Sequence, residues 1–250
     1  MKDFKEKEIL EYLERKEYAD TDEIAAKLFV SPSTVRRKLS ALAEKGLVKR
    51  THGGAKIAEH NNVFPTFTFR AHQNPVQKKK MALKAARFIK DGDLIFLDGS
   101  TSAFFIAETL TGFKNIRVLT NGIDTLSLLS QKGIQAYSTG GKISQTNRSV
   151  LVGQTAVSAV KKFYADVCFF SAQAVLKNGE IYDCFDEEID LRQTMLEQSN
   201  LKVFLCDDTK FGTTSRYRLC SVADVNYLVT NVNARDYFDG KFAEKLIVSD

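Results

Sequence analysis

Apolar residues recur at helical spacing three times before position 46, with turn residues between the repeats. The pattern predicts helices over about 4–15, over 21–28 and from Ser31-Pro32 to Lys45-Gly46. Asp20 precedes the second helix as an N-cap, with Glu23 three residues later in the manner of a capping box. Ser31 caps the third helix. Because only Phe29 and Val30 separate the second helix from that cap, the connection has the tightness of a helix-turn-helix.

The third helix separates into two faces when successive residues are set about 100° apart. Val35, Leu39 and Leu42 form one stripe, which predicts a face buried in the core. The opposite face and its flanks carry hydroxyl and basic side chains: Ser33, Thr34, Arg36, Arg37, Lys38 and Ser40. Arginine can read guanine through two hydrogen bonds, and serine or threonine can reach bases or phosphates. The polar face therefore suits the major groove of DNA.

A short two-stranded wing is predicted directly after the third helix. Residues 47–57 contain two short strand patterns around Gly53-Gly54, which would form the turn. Lys49, Arg50 and His52 are then placed to contact the sugar-phosphate backbone. With the helix, the predicted DNA-binding residues are Ser31, Ser33, Thr34, Arg36, Arg37, Lys38, Ser40, Lys49, Arg50, Thr51, His52 and Gly53.

The distribution of charge supports the same segment. The net charge of the protein is +5, which excludes little by itself. Residues 27–56 carry eight basic side chains and one acidic side chain, whereas residues 1–26 carry five basic and nine acidic ones. A concentrated basic block is expected of a surface that contacts nucleic acid. On charge alone, a solvated basic face is an equal alternative.

These motifs together resemble a known family. Val30-Ser-Pro-Ser-Thr-Val-Arg-Arg-Lys-Leu39, followed by Ala43-Glu-Lys-Gly-Leu-Val-Lys-Arg-Thr-His-Gly-Gly-Ala55, is similar to the DNA-binding domain of DeoR-family transcriptional regulators. The Arg-Thr-His-Gly-Gly-Ala wing is the most specific part. The family usually has an acidic residue after the paired arginines, and Lys38 stands there in this chain, which makes the helix more basic. A winged helix used for protein contacts is the alternative.

Residues 58–75 show no clear period and are predicted to link two domains. Phe64, Phe67 and Phe69 alternate with polar residues, so we expect this linker to pack as an extended strand. A platform on which nucleic-acid bases stack is a weaker alternative, because no basic run interleaves the aromatic residues. The predicted organisation is a winged helix-turn-helix domain over 1–57, the linker over 58–75 and a larger domain over 76–250.

From Val76 onward, short apolar runs alternate with helical patterns. Strands are predicted near 93–98, 117–120, 134–139, 166–171, 202–206 and 227–229. Helices are predicted near 81–89, 103–110, 123–130, 154–162 and 187–197. This alternation predicts an α/β domain with a mostly parallel sheet and helices on both faces.

Gly, Ser and Thr cluster at the carboxyl ends of these strands, where sheets of this kind bind their ligands. Backbone N–H groups, hydroxyls and helix N-termini at such turns bind anions, especially phosphate. Lys210 would supply a countercharge, and Asp98 or Asp207 would accept sugar hydroxyls. Taken singly, each loop is ordinary turn chemistry, but four such loops at one edge favour a binding site.

The same loops are similar to the sensor domain of the DeoR family, so the resemblance covers essentially the whole chain. It implies the fold of ribose-5-phosphate isomerases and coenzyme A transferases, with a phosphorylated sugar or sugar metabolite as inducer. The residues to which it assigns inducer binding are Ser100, Thr101, Ser102, Asn121, Gly140, Gly141 and Lys210. With Asp98 and Asp207 they form the candidate effector site.

The sequence thus predicts a DNA-binding regulator, in the first place a repressor of carbohydrate-metabolism genes, whose DNA binding responds to a phosphorylated sugar. An isomerase-like enzyme with an attached nucleic-acid module is one alternative, and an architectural DNA binder is another. Against the enzyme, Lys142 follows Gly140-Gly141 without acidic partners. The run Asp186-Glu187-Glu188 heads a helix, where carboxylates are ordinary stabilisers. We predict no catalytic residue, cofactor or metal site.

Composition adds expectations about partners and location. The N-terminus lacks the apolar core of a signal peptide, and no run reaches the roughly 18–20 apolar residues of a membrane helix. The four cysteines contain no Cys-x-x-Cys pair, which indicates reduced, mostly buried thiols in a cytoplasmic protein. We expect operator DNA, a phosphorylated sugar and a second copy of the chain, in a homodimer or a larger homo-oligomer, as partners, and no membrane.

Overall fold

The computed structural model describes residues 4–16, 18–44, 47–57 and 66–249. The chain forms two compact units, Met1–Gln73 and Asn74–Asp250. The first unit contains helices α1 (Phe4–Lys16), α2 (Thr21–Leu28), α3 (Pro32–Glu44) and α4 (Phe67–His72), and strands β1 (Tyr18–Asp20), β2 (Val48–Arg50) and β3 (Gly54–Ile57).

The small sheet of the first unit has three strands in the order β1-β3-β2. Strands β2 and β3 pair antiparallel as the predicted wing, and β1, which the sequence patterns did not predict, pairs with the other edge of β3. Gly54 has no room for a side chain, because a Cβ there would overlap the carbonyl oxygen of Ala19 in β1. The base of the wing is therefore anchored in the core sheet.

The core of the first unit confirms the predicted apolar stripe of α3. Val35, Leu39 and Leu42 are buried among apolar residues of α1 and α2. The side chain of Asp20 accepts a hydrogen bond from the backbone N–H of Glu23 at 2.7 Å, so the predicted cap of α2 is also confirmed. The helix-turn-helix is thus specified by local signals that agree with the tertiary packing.

Helix α4 occupies the place of the extended strand expected for the linker, and that expectation was wrong. Thr66 caps α4 by accepting the N–H of Phe69 at 3.2 Å. Phe67 and Phe69 are buried, and Phe69 lies in the core of the first unit. So few residues cannot distinguish a strand period from a helix period, and the Thr66 cap favours the helix. Phe64 and Lys45-Gly46 lie outside the described residues.

The second unit contains helices α5 (Pro75–Ala85), α6 (Thr101–Thr109), α7 (Ile123–Gln131), α8 (Gln154–Val160) and α9 (Asp186–Glu197). Its strands are β4 (Leu94–Leu97), β5 (Arg117–Thr120), β6 (Gln135–Ser138), β7 (Lys142–Ile143), β8 (Leu151–Val152), β9 (Ala165–Phe170), β10 (Ala174–Val175), β11 (Glu180–Asp183), β12 (Ser199–Leu205), β13 (Tyr217–Ser221), β14 (Tyr227–Thr230) and β15 (Leu246–Val248).

Seven strands form one parallel sheet in the order β15-β14-β12-β9-β4-β5-β6. Both faces of the sheet are covered, with Phe96 and Phe170 in one apolar core and Ile95 and Phe169 in the other. The predicted α/β domain is confirmed. The edge strand β15, the hairpin β7–β8 and the antiparallel sheet β10-β11-β13 were not predicted. Strands β7, β8 and β10 have two residues each, too few to show a period.

Cysteine chemistry also agrees with the sequence. All four thiols are free, and Cys168, Cys206 and Cys220 are buried. Burial raises the pKa of the Cys220 thiol to about 12, which keeps it protonated and unreactive. No helix in the described part of the chain has the length and apolar character needed to cross a bilayer.

Candidate nucleic-acid interface and effector site

The exposed face of α3 carries the side chains expected to contact DNA. Ser31 caps the helix by accepting the N–H of Thr34 at 3.2 Å, and its hydroxyl lies 2.9 Å from those of Ser33 and Thr34. Arg36 and Arg37 are exposed, as are Ser31 and Ser33. Two guanidinium groups and a cluster of hydroxyls therefore project from a helix whose opposite face is fixed in the core.

Lys38 does not share this arrangement. Its ammonium nitrogen lies 2.8 Å from Oε1 of Glu6 in α1, and the two side chains are only 17% and 10% exposed. The lysine at this position was expected to make the helix more basic. The structure instead offsets its charge with a carboxylate, so Lys38 contributes to the packing of α1 on α3 rather than to the exposed basic face.

Arg50 connects the wing to α3. Its Nη1 donates to the hydroxyl of Ser40 at 2.8 Å and to the carbonyl oxygen of Arg36 at 3.3 Å. Arg50 was expected to contact the DNA backbone, and Ser40 to lie on the reading face. These contacts give both residues a structural role as well, because they hold strand β2 against the middle of α3.

The turn of the wing presents the remaining predicted residues. Lys49, Thr51, His52 and Gly53 are all exposed. The N–H of Thr51 donates to the carbonyl oxygen of Gly54 at 3.1 Å, and the carbonyl oxygen of Gly53 accepts the N–H of Thr21 at 2.8 Å. The turn is thus held at the N-terminal end of α2.

In the second unit, the loops after β4 and β5 meet at the carboxyl edge of the sheet. A Cβ built on Gly122 would lie 3.2 Å from the Cα of Gly99, and one built on Gly99 would overlap the side chain of Val150. Only a residue without a side chain fits at Gly99. This close approach brings Asn121, at the end of β5, beside the loop that opens α6.

Two buried oxygen atoms at this edge have no hydrogen-bond partner. Asn121 is fully buried and donates from Nδ2 to the carbonyl oxygen of Leu151 at 3.2 Å, but its Oδ1 is unpaired. The hydroxyl of Thr125, in the first turn of α7, is also unpaired. Buried polar atoms are normally satisfied, so this pair makes the edge a candidate site for a polar ligand.

The start of α6 supplies the hydroxyls that were predicted. Ser100 caps this nine-residue helix by accepting the N–H of Ala103 at 3.1 Å, and Thr101 and Ser102 are buried in its first turn. The free N–H groups of a helix N-terminus favour an anion. Gly140 and Gly141 follow β6 with φ angles of 63° and 101° and turn the chain into β7.

Asp98 has structural partners in addition to its predicted role. Its two carboxylate oxygens accept the N–H groups of Ser100 and Ser171 at 3.0 and 3.1 Å, and Nη2 of Arg192 lies 3.1 Å away. Arg192 also donates to Asp183 at 2.6 Å. Both carboxylate oxygens of Asp98 therefore have protein partners that fix the loop after β4, and the contact of Asp98 with a sugar hydroxyl stays a prediction.

Asp98, Asp183 and Arg192 form a buried triad, and the pKa values of its two carboxyl groups shift in opposite directions. Burial raises the pKa of the Asp98 carboxyl, and the guanidinium of Arg192 acts against that rise. Burial would also raise the pKa of Asp183, but the same guanidinium outweighs it and holds that pKa below its usual value. Arg192 was not among the predicted residues. The sequence signal that it is buried is its position between the apolar Leu191 and Met195 of α9.

Asp207 and Lys210 lie beyond the carboxyl end of β12. The Asp207 carboxylate accepts from the backbone N–H and the hydroxyl of Thr209, so it caps the short 3-10 helix Asp208–Lys210. Asp207 therefore also has a structural role, and its contact with a sugar hydroxyl stays a prediction. Lys210 is half-buried in the same turn, where it stays a candidate countercharge.

The hairpin β7–β8 is fastened to α9 by the acidic run that was expected only to stabilise the helix N-terminus. Glu187 lies 2.8 Å from Nζ of Lys142 and accepts from the hydroxyl of Ser144 at 2.7 Å, and Glu188 accepts from Asn147 at 2.8 Å. The hydrogen bonds from Lys142 and Ser144 lower the pKa of Glu187 to about 2. Lys142 therefore does have an acidic partner.

We call the loops at residues 98–102 and 121–125 the strand-end site. Helix α9 contacts both the loop after β4 and the hairpin β7–β8 that covers it. Arg192 reaches the loop after β4, while Glu187 and Glu188 reach the hairpin whose Val150 covers that loop. Within the described ranges, no group of three or more His, Cys, Asp or Glu side chains is arranged to hold a metal ion.

Comparison with known proteins identifies both units. A DeoR-like helix-turn-helix domain matches residues 5–61, and a DeoR C-terminal sensor domain matches residues 73–232. The HTH-type transcriptional regulator GolR of Listeria innocua is 31% identical over 228 residues, which are 91% of this chain and 89% of that protein. The glycerol-3-phosphate regulon repressor of Haemophilus influenzae is 29% identical over 89% of this chain and 86% of its own.

Among solved structures, a ribose 5-phosphate isomerase from Plasmodium falciparum aligns with 54% of this chain and 52% of its own, at 17% identity and a TM-score of 0.40. The relatives that match along most of their length are regulators of transcription and not isomerases. The helix-turn-helix, the sensor domain and these relatives agree. The chain therefore belongs to the DeoR family of transcriptional regulators.

Proposed function

We propose that this protein represses genes of carbohydrate metabolism by binding operator DNA through α3 and the wing, and that a phosphorylated sugar in the sensor unit controls that binding. In this proposal Ser31, Ser33, Arg36 and Arg37 face the major groove. Lys49 and the exposed wing turn contact the sugar-phosphate backbone.

The observation that carries the proposal is the division of α3 into two faces. Val35, Leu39 and Leu42 are buried, whereas Arg36 and Arg37 are exposed on a helix with a capped N-terminus. A recognition helix needs both properties, because the buried face fixes its orientation while the exposed face contacts base edges.

The effector class follows from the strand-end site. The unpaired amide oxygen of Asn121 can accept a hydrogen bond from a sugar hydroxyl, and the hydroxyl of Thr125 can donate or accept one. The N-terminus of α6, with Ser100 and Thr101, suits a phosphate, and Lys210 would balance its charge. One ligand with a phosphate and several hydroxyls would use both features.

The experiment begins with a duplex that the full-length protein selects from a randomised library. Its affinity is then measured with and without a panel of phosphorylated sugars and polyols, using the unphosphorylated compounds as controls. We expect one phosphorylated compound to change the affinity for the duplex by about 5- to 150-fold, the usual range of allosteric coupling. Absence of any selected duplex would contradict the DNA-binding proposal.

Lys210→Ala separates the two sites. We expect this variant to lose the response to the phosphorylated compound, because a bound phosphate dianion would lack its countercharge. Its DNA affinity without the compound should match that of the parent. Lys177→Ala, on the turn before β11, is a control for the removal of one lysine charge. A Lys210→Ala variant with an unchanged response would exclude Lys210 from the site.

Oligomeric state and location complete the proposal. A regulator that reads a palindromic operator needs two copies of α3, about 34–36 Å apart along the DNA, and we therefore propose a homodimer or a larger even assembly. We also propose that the protein acts in the cytoplasm, where the DNA of a bacterial operator lies. Sedimentation of the protein with and without the selected duplex tests the first statement.

A further inference from the structure

Phe29, in the turn between α2 and α3, is an unusual residue in an unusual conformation. Its side chain is 95% exposed, the largest exposure among the large apolar residues that the structure describes. Its backbone is left-handed, with φ 53° and ψ 46°. Each property alone disfavours phenylalanine, and both occur together in the turn of the proposed DNA-binding motif.

The left-handed conformation is required by the end of α2. The N–H groups of Phe29 and Val30 both donate to the carbonyl oxygen of Ala25, which closes the last turn of the helix. Glycine or asparagine normally occupies such a position, because a Cβ there is strained and a bulky side chain more so. The fold therefore needs this conformation but does not need an aromatic ring.

The position of Phe29 in the motif points to its partner. Its Cα lies two residues before that of Ser31, the cap of α3, and so within about 7.6 Å of it. In helix-turn-helix proteins the N-terminal residues of the second helix contact base edges in the major groove. Ser31 and Ser33 are exposed at that same end of α3. An exposed ring beside them would approach the duplex together with the helix.

We propose that Phe29 makes an apolar contact with the C5-methyl group of a thymine at the edge of the operator half-site. This inference rests on the proposed DNA-binding function and adds a residue that determines its specificity. The thymine methyl is the apolar group that base pairs present in the major groove, and phenylalanine is among the side chains that read it. The concentrated positive charge of residues 27–56 favours DNA over another protein surface as the occupant.

The test uses the full-length protein and the duplex selected by the parent. Each thymine is replaced in turn by uracil, which removes the methyl group and leaves the hydrogen-bonding edge unchanged. For the parent we expect a loss of about fourfold or more at one position in each half-site, the factor that corresponds to burying one methyl-sized group. Phe29→Asn should bind the thymine duplex less tightly than the parent by about the same factor. Replacing that thymine by uracil should then cause no further loss of affinity for the variant.

Thermal stability distinguishes this role from a structural one. Phe29→Asn and Phe29→Gly should unfold at the same temperature as the parent or higher, because both residues accept the left-handed conformation. Tyr164→Asn is the matched control, since Tyr164 is an exposed aromatic residue of the second unit. That variant should bind the selected duplex as tightly as the parent, and it should lose as much affinity as the parent when the thymine is replaced by uracil.

Three results would overturn the inference while leaving the DNA-binding proposal intact. In the first, Phe29→Asn binds the selected duplex as tightly as the parent. In the second, its affinity falls below that of the parent by the same factor for the thymine and the uracil duplexes. In the third, the substitution changes only the oligomeric state measured by sedimentation. The last result would identify a second copy of the chain as the occupant. If the parent selects no duplex at all, the proposed function itself fails.

Discussion

The two units carry their functional groups in opposite ways. In the first unit, Arg36 and Arg37 project from a helix into solvent. In the second unit, Asn121 and Thr125 are buried and leave two oxygens unpaired. If both sites act as proposed, the charged groups that meet DNA stay hydrated without it, whereas the buried oxygens carry a free-energy cost that a bound ligand would remove.

The largest expected effect is a loss of stability of the second unit when Arg192 is replaced. Arg192→Met leaves the carboxylates of Asp98 and Asp183 buried without their cation, so we expect the second unit to lose about 3–5 kcal/mol of stability. Denaturant unfolding followed by circular dichroism measures this loss. Arg218→Met, which removes an exposed partner of Glu180, is the control and should cause no resolvable change. If Arg192→Met is as stable as the parent, the contacts of Arg192 with Asp98 and Asp183 do not stabilise the second unit.

The next effect compares two kinds of contact within the first unit. Arg36→Ala or Arg37→Ala should weaken binding of the selected duplex by about 1–3 kcal/mol and relax its specificity. Lys49→Ala should weaken all duplexes alike and make the salt dependence shallower. Titrations at two salt concentrations distinguish these results.

Lys38→Ala is the matched control for the arginine variants on the same helix. Because the Lys38 ammonium is paired with Glu6, we expect its loss to change stability more than DNA specificity. If Arg36→Ala and Arg37→Ala both bind the selected duplex as tightly as the parent, α3 is not the recognition helix.

A smaller effect tests the unpaired oxygens directly. Thr125→Val removes a buried hydroxyl without a partner, so the ligand-free protein should be as stable as the parent or more so. Its affinity for the effector should fall by about 0.5–1.5 kcal/mol, the usual value of one hydrogen bond. Calorimetric titration with the phosphorylated compound measures the affinity.

Thr109→Val gives the opposite pattern and serves as the control. The Thr109 hydroxyl already donates to the carbonyl oxygen of Ile106 at 2.8 Å. This variant should lose some stability and keep its affinity for the effector. Unchanged affinity in Thr125→Val would place the ligand elsewhere.

The smallest effect concerns the fastening of the hairpin. Because Lys142 and Ser144 lower the pKa of Glu187 from 4.5 to about 2, this contact is fully present above pH 4.5 and is lost as the pH falls toward 2. At neutral pH, Glu187→Gln should accelerate amide hydrogen exchange in residues 142–152, with at most about 1 kcal/mol of stability lost. Glu180→Gln, in an exposed pair elsewhere, should leave that exchange unchanged. Equal exchange in parent and Glu187→Gln would show that Glu188 alone holds the hairpin.

The comparison also shows what a sequence can reveal. Elements fixed by local signals were predictable: the Asp20 cap, the stripe from Val35 to Leu42 and six of the seven strands of the parallel sheet. The family resemblance likewise rested on a contiguous stretch of residues in α3 and the wing. In such places the residues that determine structure are neighbours in the chain, and their spacing is the evidence.

The partners of buried charges were not predictable. Asp98 seemed available for a ligand because nothing near it in sequence identifies Arg192 as its partner. Lys38 seemed part of a basic face for the same reason, since Glu6 lies 32 residues earlier. Pairing over such separations depends on packing, which composition and periodicity do not encode.

Helix α9 has a consequence for the order in which the protein acquires its properties. Synthesis proceeds from the N-terminus, and domains fold as units when they emerge. The first unit is complete only once residue 73 has been made, because Phe69 of α4 lies in its core, whereas the loop at Asp98 lacks its cation until residue 192 follows. A chain interrupted between these points would contain the first unit without the buried triad of Asp98, Asp183 and Arg192. Under the proposed function, premature termination would therefore leave a DNA-binding unit that no effector controls, and not merely an inactive fragment.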